Sequence, residues 1–116
     1  MALGALVALT TTSAGAVLHN RLTKSAPAKD EVLAGPPTAI QLWFSEPTEP
    51  ALSGITLLGP GRTKVVLAKV HKTDDPRSIV ADIKDSTPIG VYTVDWRASG
   101  RDGHVIRGSY RFTIDP

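Results

Sequence analysis

Asp102-Gly103-His104 sets a carboxylate and an imidazole two residues apart. Both groups bind divalent metals or move protons. In extended backbone, positions i and i+2 point to the same side, so the two side chains are expected to share one rim of the fold as potential metal ligands. Asp-Gly is also a common hairpin-turn pair, so the same residues have a purely structural reading as the tip of a turn. Other reactive chemistry is sparse. Cysteine is absent, which excludes disulfides, thiolate zinc sites and cysteine nucleophiles together. No nucleophile elbow, phosphate-binding loop or paired catalytic carboxylates occur. His71, between Val70 and Lys72, reads as a surface residue.

The elements on either side of the Asp-Gly-His stretch must position it. Tyr92, Val94, Trp96 and Ala98 alternate with more polar residues before it, and Ile106, Gly108, Tyr110, Phe112 and Ile114 do so after it. That period of two predicts two half-buried strands. Upstream, Ile40, Leu42 and Phe44 share one face of a strand, while Trp43 falls with Gln41 on the other, partly exposed side. A strand over 54–58 ends at Gly59-Pro60-Gly61, a strong turn signal, and 63–70 follows as its hairpin partner. Residues 71–76 read as a loop, and 77–84 places Ile79, Ala81 and Ile83 on one face. Residues 19–28 form a polar extended arm whose Pro27 breaks any helix. About seven short strands separated by Gly/Pro turns predict an all-β fold, an antiparallel Greek-key sandwich.

A chain of 116 residues suggests one such domain. Lys and Arg number 13 against 11 Asp and Glu, and the cations form no run and carry no interleaved aromatics. Nucleic acid is therefore not an expected partner. Residues 1–18 contain no charged side chain and pass from an apolar run into Ala14-Gly15-Ala16, the pattern of a secretory signal peptide. An uncleaved hydrophobic leader anchoring the chain to a membrane is the alternative. The absence of basic residues before the apolar run leaves open a start upstream of Met1. The expected organisation is a leader over 1–18 and one exported β domain over 19–116.

Four segments resemble, in order, the CopC copper-resistance proteins, small exported copper-binding domains of bacteria. They are His19-x-x-Leu22-x-x-Ser25-x-Pro27, Phe44-Ser45-Glu46-Pro47, Gly90-x-Tyr92-x-Val94-x-Trp96-Arg97, and Asp102-Gly103-His104-x-x-x-Gly108-Ser109. The resemblance implies an immunoglobulin-like or cupredoxin-like sandwich binding Cu(II) at one end. Its implied ligands are His19, through the ring and, as first residue of the mature chain, the amine, together with Asp102 and His104. Glu46 is implied as a weak ligand or a neighbour of the ion. A further Cu(I) site found in some members is built from a methionine-rich stretch. Here the only methionine is Met1, so that site is not expected. Cleavage after Leu18 would make His19 the first residue, whereas cleavage after Ala16 would leave Val17 and Leu18 ahead of it and remove the amine from the set.

The chemistry suits the implied ion. Cu(II) favours tetragonal nitrogen and oxygen donors, while Cu(I) prefers soft sulfur. Ligands must lose their protons to bind, so such a site weakens as pH falls. The expected function is a monomeric, non-enzymatic protein holding Cu(II) in the periplasm or outside the cell, for resistance, buffering or delivery to a membrane importer. Two alternatives stand beside it. One is a copper-dependent oxidative enzyme, since an N-terminal histidine paired with a second histidine is similar to the copper brace of polysaccharide monooxygenases. Asp102 filling a position such enzymes leave open, and an aromatic content of 5% too low for a flat sugar-binding face, argue against it. The other is a metal-free immunoglobulin-like interaction domain.

Overall fold

The computed structural model describes residues 19–116 together with Gly4. Apart from Gly4, the leader expected over residues 1–18 lies outside the described residues. Among these, nine strands form: β1 Leu22–Ala26, β2 Val32–Leu33, β3 Ala39–Phe44, β4 Gly54–Leu58, β5 Lys64–Val65, β6 His71–Lys72, β7 Ser78–Asp82, β8 Gly90–Ser99 and β9 Val105–Ile114. They make two sheets, in the orders β1-β3-β7-β6 and β2-β9-β8-β4-β5. Only β2 with β9 is a parallel pair. Sequential strands pair as β4–β5, β6–β7 and β8–β9, and the other connections cross from sheet to sheet. This is the sandwich that the alternating patterns predict.

The inward positions are the alternating ones. Ile40, Leu42 and Phe44 from β3 meet Ile79 and Ala81 from β7 on one side. On the other lie Tyr92, Val94 and Ala98 from β8 and Tyr110, Phe112 and Ile114 from β9. Each large apolar side chain buried in this way contributes roughly 1.5–3 kcal/mol. The Tyr92 and Phe112 rings stack with centroids 5.2 Å apart. The Tyr92 hydroxyl donates to the Pro88 carbonyl at 2.5 Å, the tyrosine corner that braces this turn in immunoglobulin-like sandwiches. Trp43 is half-buried on the outer face of β3, with the Lys24 ammonium 4.6 Å from its ring centroid.

The extra strands have local explanations. β2 and β6 are two-residue edge pieces, too short for a periodic signal, and exist because β9 and β7 offer them open backbone. His71 therefore lies in an edge strand rather than the expected loop, and it is exposed as expected. The expected 63–70 hairpin partner stops early. Only Lys64 and Val65 pair with β4. The chain then swings to the opposite sheet, where Leu67 bridges Ile83 and the Ala68 N–H donates to the Asp82 carbonyl at 2.8 Å. Crossing over lets Leu67 and Ile83 pack against the core, which a longer hairpin would not.

Trp96 packs edge-on against Phe44, centroids 5.3 Å apart, and its ring spreads over Gly108, its partner in the β8–β9 register. A Cβ at Gly108 would overlap the indole ring. Gly108→Ala should therefore destabilise the domain by about 1–3 kcal/mol, the usual cost of overpacking, which a denaturant titration would read. Tyr110 generates a second expectation. Its hydroxyl is buried and meets no partner at hydrogen-bonding geometry. Burial pushes its pKa from 10.0 up to about 12, the neighbouring Ser25 hydroxyl opposing this in part and the Glu31 carboxylate adding to it. Above pH 10 the unfolded chain releases a proton that the folded chain keeps, so folding stability should fall as pH rises from about 10 to about 12. Tyr110→Phe should flatten that decline in denaturant midpoints measured against pH.

Candidate functional site

Two pieces of chain converge at one end of the sandwich. Because Leu22 pairs with Phe44, the residues before β1 lie beside those after β3. Asn20 locks them together: its Oδ1 accepts the Glu46 N–H at 3.0 Å and the Ser45 hydroxyl at 3.3 Å. The Arg21 N–H donates to the Ser45 Oγ at 3.0 Å, and the Ser45 N–H donates to the Arg21 carbonyl at 2.9 Å. His19, one residue ahead of this clasp, is exposed, and Glu46 is half-buried.

The second piece is the β8–β9 hairpin. Its last pair is Ser99 with Val105, leaving residues 100–104 as the connection. The Gly103 N–H donates to the Gly100 carbonyl at 3.1 Å, and Gly103 sits at φ 78°, a left-handed conformation that glycine adopts without strain. The Asp102 Oδ1 accepts the His104 N–H at 3.0 Å, while its Oδ2 lies 3.0 Å from His104 Nδ1. One carboxylate thus holds both the backbone and the ring of His104. An aspartate that bonds the backbone two residues on is a recurrent turn device. The extended geometry expected for these residues does not occur; the side chains meet because the turn folds them together.

The electrostatics follow from that geometry. The His104 N–H first, and its ring second, hold the Asp102 carboxyl below its ordinary range, so it stays in the carboxylate form. Both side chains stand in solvent, 67% exposed for Asp102 and 86% for His104. With Nδ1 turned to the carboxylate, Nε2 of His104 is the nitrogen free to meet an incoming ion.

The connection between β3 and β4 joins the two pieces. The Glu49 N–H donates to the Ser99 carbonyl at 2.8 Å. The Ser99 N–H donates to the Ser53 Oγ at 3.2 Å, and that hydroxyl donates to the Glu49 carbonyl at 2.7 Å. Arg101 Nε lies 3.6 Å from the Glu49 carboxylate. His19 and Glu46 therefore occupy the same end as Asp102 and His104. Only Asp102 and His104 are brought into contact. No group of three or more His, Asp and Glu side chains poised to hold one ion occurs among the described residues. Asn20 and Glu49, which sequence reasoning missed, set this arrangement. The partner of Asn20 lies 26 positions away, so no local pattern could reveal it.

The fold and site define an immunoglobulin-like sandwich domain with an exposed carboxylate–imidazole pair at one end. The CopC domain matches residues 22–115 of the chain, and the chain belongs to the CopC family. It is similar to Copper resistance protein C of Escherichia coli, 39% identical over 106 residues that cover 85% of this chain and 83% of that protein. The crystal structure of CopC from Methylosinus trichosporium OB3b matches with a TM-score of 0.75 at 32% identity, covering 84% of this chain and 95% of that one. Copper transport protein CutJ of Bacillus subtilis (strain 168) is 29% identical over 97 residues, 83% of this chain but 18% of that protein. Copper binding is the role these relationships support.

Asn20→Ala should leave the Glu46 N–H without an acceptor and cost about 1 kcal/mol. The expected readout is a lowered denaturant midpoint together with faster hydrogen exchange at the Glu46 amide, while the Gly103 amide exchanges as before.

Proposed function

We propose that this protein is exported to the periplasm or the cell exterior, where it holds Cu(II) through His19, Asp102 and His104, with Glu46 beside the ion. The observation that carries the reading is the Asp102–His104 pair, fixed on the hairpin at the end of a CopC-family sandwich where His19 also lies. The donor set fits the ion: two imidazoles, a carboxylate and, if His19 begins the mature chain, an amine are nitrogen and oxygen donors of the kind Cu(II) favours. His19 must then swing toward the pair, a motion open to an exposed residue ahead of the Asn20 clasp.

The ion is cargo, and the protein serves as a carrier rather than a catalyst. It buffers oxidised copper for resistance, or passes it to a membrane importer. A stretch similar to this domain within a much longer copper transport protein supports the delivery role. No helix among the described residues is long and apolar enough to cross a membrane.

Calorimetric titration of a chain beginning at His19 with Cu(II) should give tight one-to-one binding. His104→Ala should weaken it by more than the roughly 10–100-fold lost when only a ligand's hydrogen-bond partner is removed. Tight binding unchanged in that variant would refute the assignment. The same titration on the His19 chain with its α-amine acetylated should show weaker binding, because that nitrogen is then no longer a donor.

A further inference from the structure

We propose that the outer face of the β8–β9 ladder is a docking surface for an acidic protein partner. The outward positions of the ladder are Val91, Thr93, Asp95 and Arg97 on β8 and Val105, Arg107, Ser109, Arg111 and Thr113 on β9, alternating with the buried core residues. The register puts Arg97 directly opposite Arg107, and Arg111 opposite Thr93. Lys64, opposite Leu58 in the row of Thr93, continues the cationic surface across β4. Arg97 lies flat against the sheet, its side chain close over Gly54 of β4.

These cations have little to balance them. The one carboxylate on the outward face of the ladder is Asp95, opposite Ser109. The one Arg or Lys ion pair among the described residues is Arg101 with Glu49, so Arg97, Arg107 and Arg111 are all unpaired within that set. Like charges directly opposite across two strands are destabilising. A surface that keeps them there, without internal partners, is matched to an external anion.

The side chains select the kind of anion. Planar guanidinium groups bind carboxylates through paired hydrogen bonds, and Thr93, Ser109 and Thr113 supply further hydrogen-bonding groups between them. A lipid surface would call for large apolar side chains to enter the acyl boundary, and the exposed apolar residues on these strands are only Val91 and Val105. The Arg97–Arg107 pair is two residue pairs below the last rung of the hairpin that carries Asp102 and His104. A partner seated here lies next to that tip. The proposal rests on charge and register alone and holds whether or not His19 joins a copper site.

The test is a titration of the nitrogen-15-labelled chain with a short poly-glutamate peptide, followed by amide chemical shifts. Saturable shifts confined to residues 93–97 and 107–111, weakening as salt rises, are expected. The double variant Arg97→Gln, Arg107→Gln should lose roughly fivefold or more in affinity with a melting temperature no lower than that of the unaltered chain. Arg111→Gln alone should lose less. Lys69→Gln with Lys72→Gln, removing two cations elsewhere, should bind as before. Shifts scattered over the whole surface, equal losses in the lysine variant, or undiminished binding by the arginine variant would overturn the proposal. So would binding to phosphatidylserine vesicles with no response to the peptide.

Discussion

The backbone N–H of Glu49 meets the Ser99 carbonyl at 2.8 Å, and through that contact the two sheets share a common end. Glu49 belongs to the connection leaving β3 in one sheet, and Ser99 is the last residue of β8 in the other. The same connection holds the start of β1 through the bonds of Asn20 to Ser45 and Glu46. A chain segment satisfied on both sides in this way fixes the distance between them. The residues before β1 and the tip of the β8–β9 hairpin can then serve one site, although more than eighty positions separate His19 from Asp102.

Beneath this end lies an aromatic floor. Phe44 immediately precedes the connection, and its ring packs against Trp96, which spreads over Gly108. The floor explains how an exposed turn can be held in one place. The hairpin tip is free in solvent, yet its strands are pinned just below by side chains that pack as closely as crystalline matter. The Asp102–His104 pair adds a second, local restraint, since one carboxylate governs both the backbone and the ring of the histidine. A rigid base beneath an accessible tip keeps the carboxylate–imidazole pair open to solvent at a fixed place.

Much of this was legible in the residues. The period of two from Tyr92 to Ile114 locates β8 and β9, because a half-buried strand must alternate. The positions of Ile40, Leu42 and Phe44 likewise specify the inward face of β3. The motif segments identify the family and with it the class of ligand. Other features were hidden. β2 and β6 are created by the open edges of their neighbours, and the departure of the chain from β4 after Val65 depends on Leu67 finding Ile83 across the sandwich. The cations at 97, 107 and 111 look scattered along the chain, yet antiparallel pairing collects them on one face.

The sequence by itself determined what is local or periodic: an all-β chain, the inward side chains of its long strands, and the chemical types at the candidate site. It also determined the Asp-Gly-His turn, because aspartate, glycine and histidine in that order carry their own hydrogen bonds and the left-handed conformation those bonds require. Only the tertiary structure decided which distant groups share an end. Asn20 bonds Glu46, and Glu49 bonds Ser99, through partners chosen by sheet order rather than by chain proximity. Such contacts leave no periodic trace, since each is a single pair of polar atoms brought together by the packing of everything else.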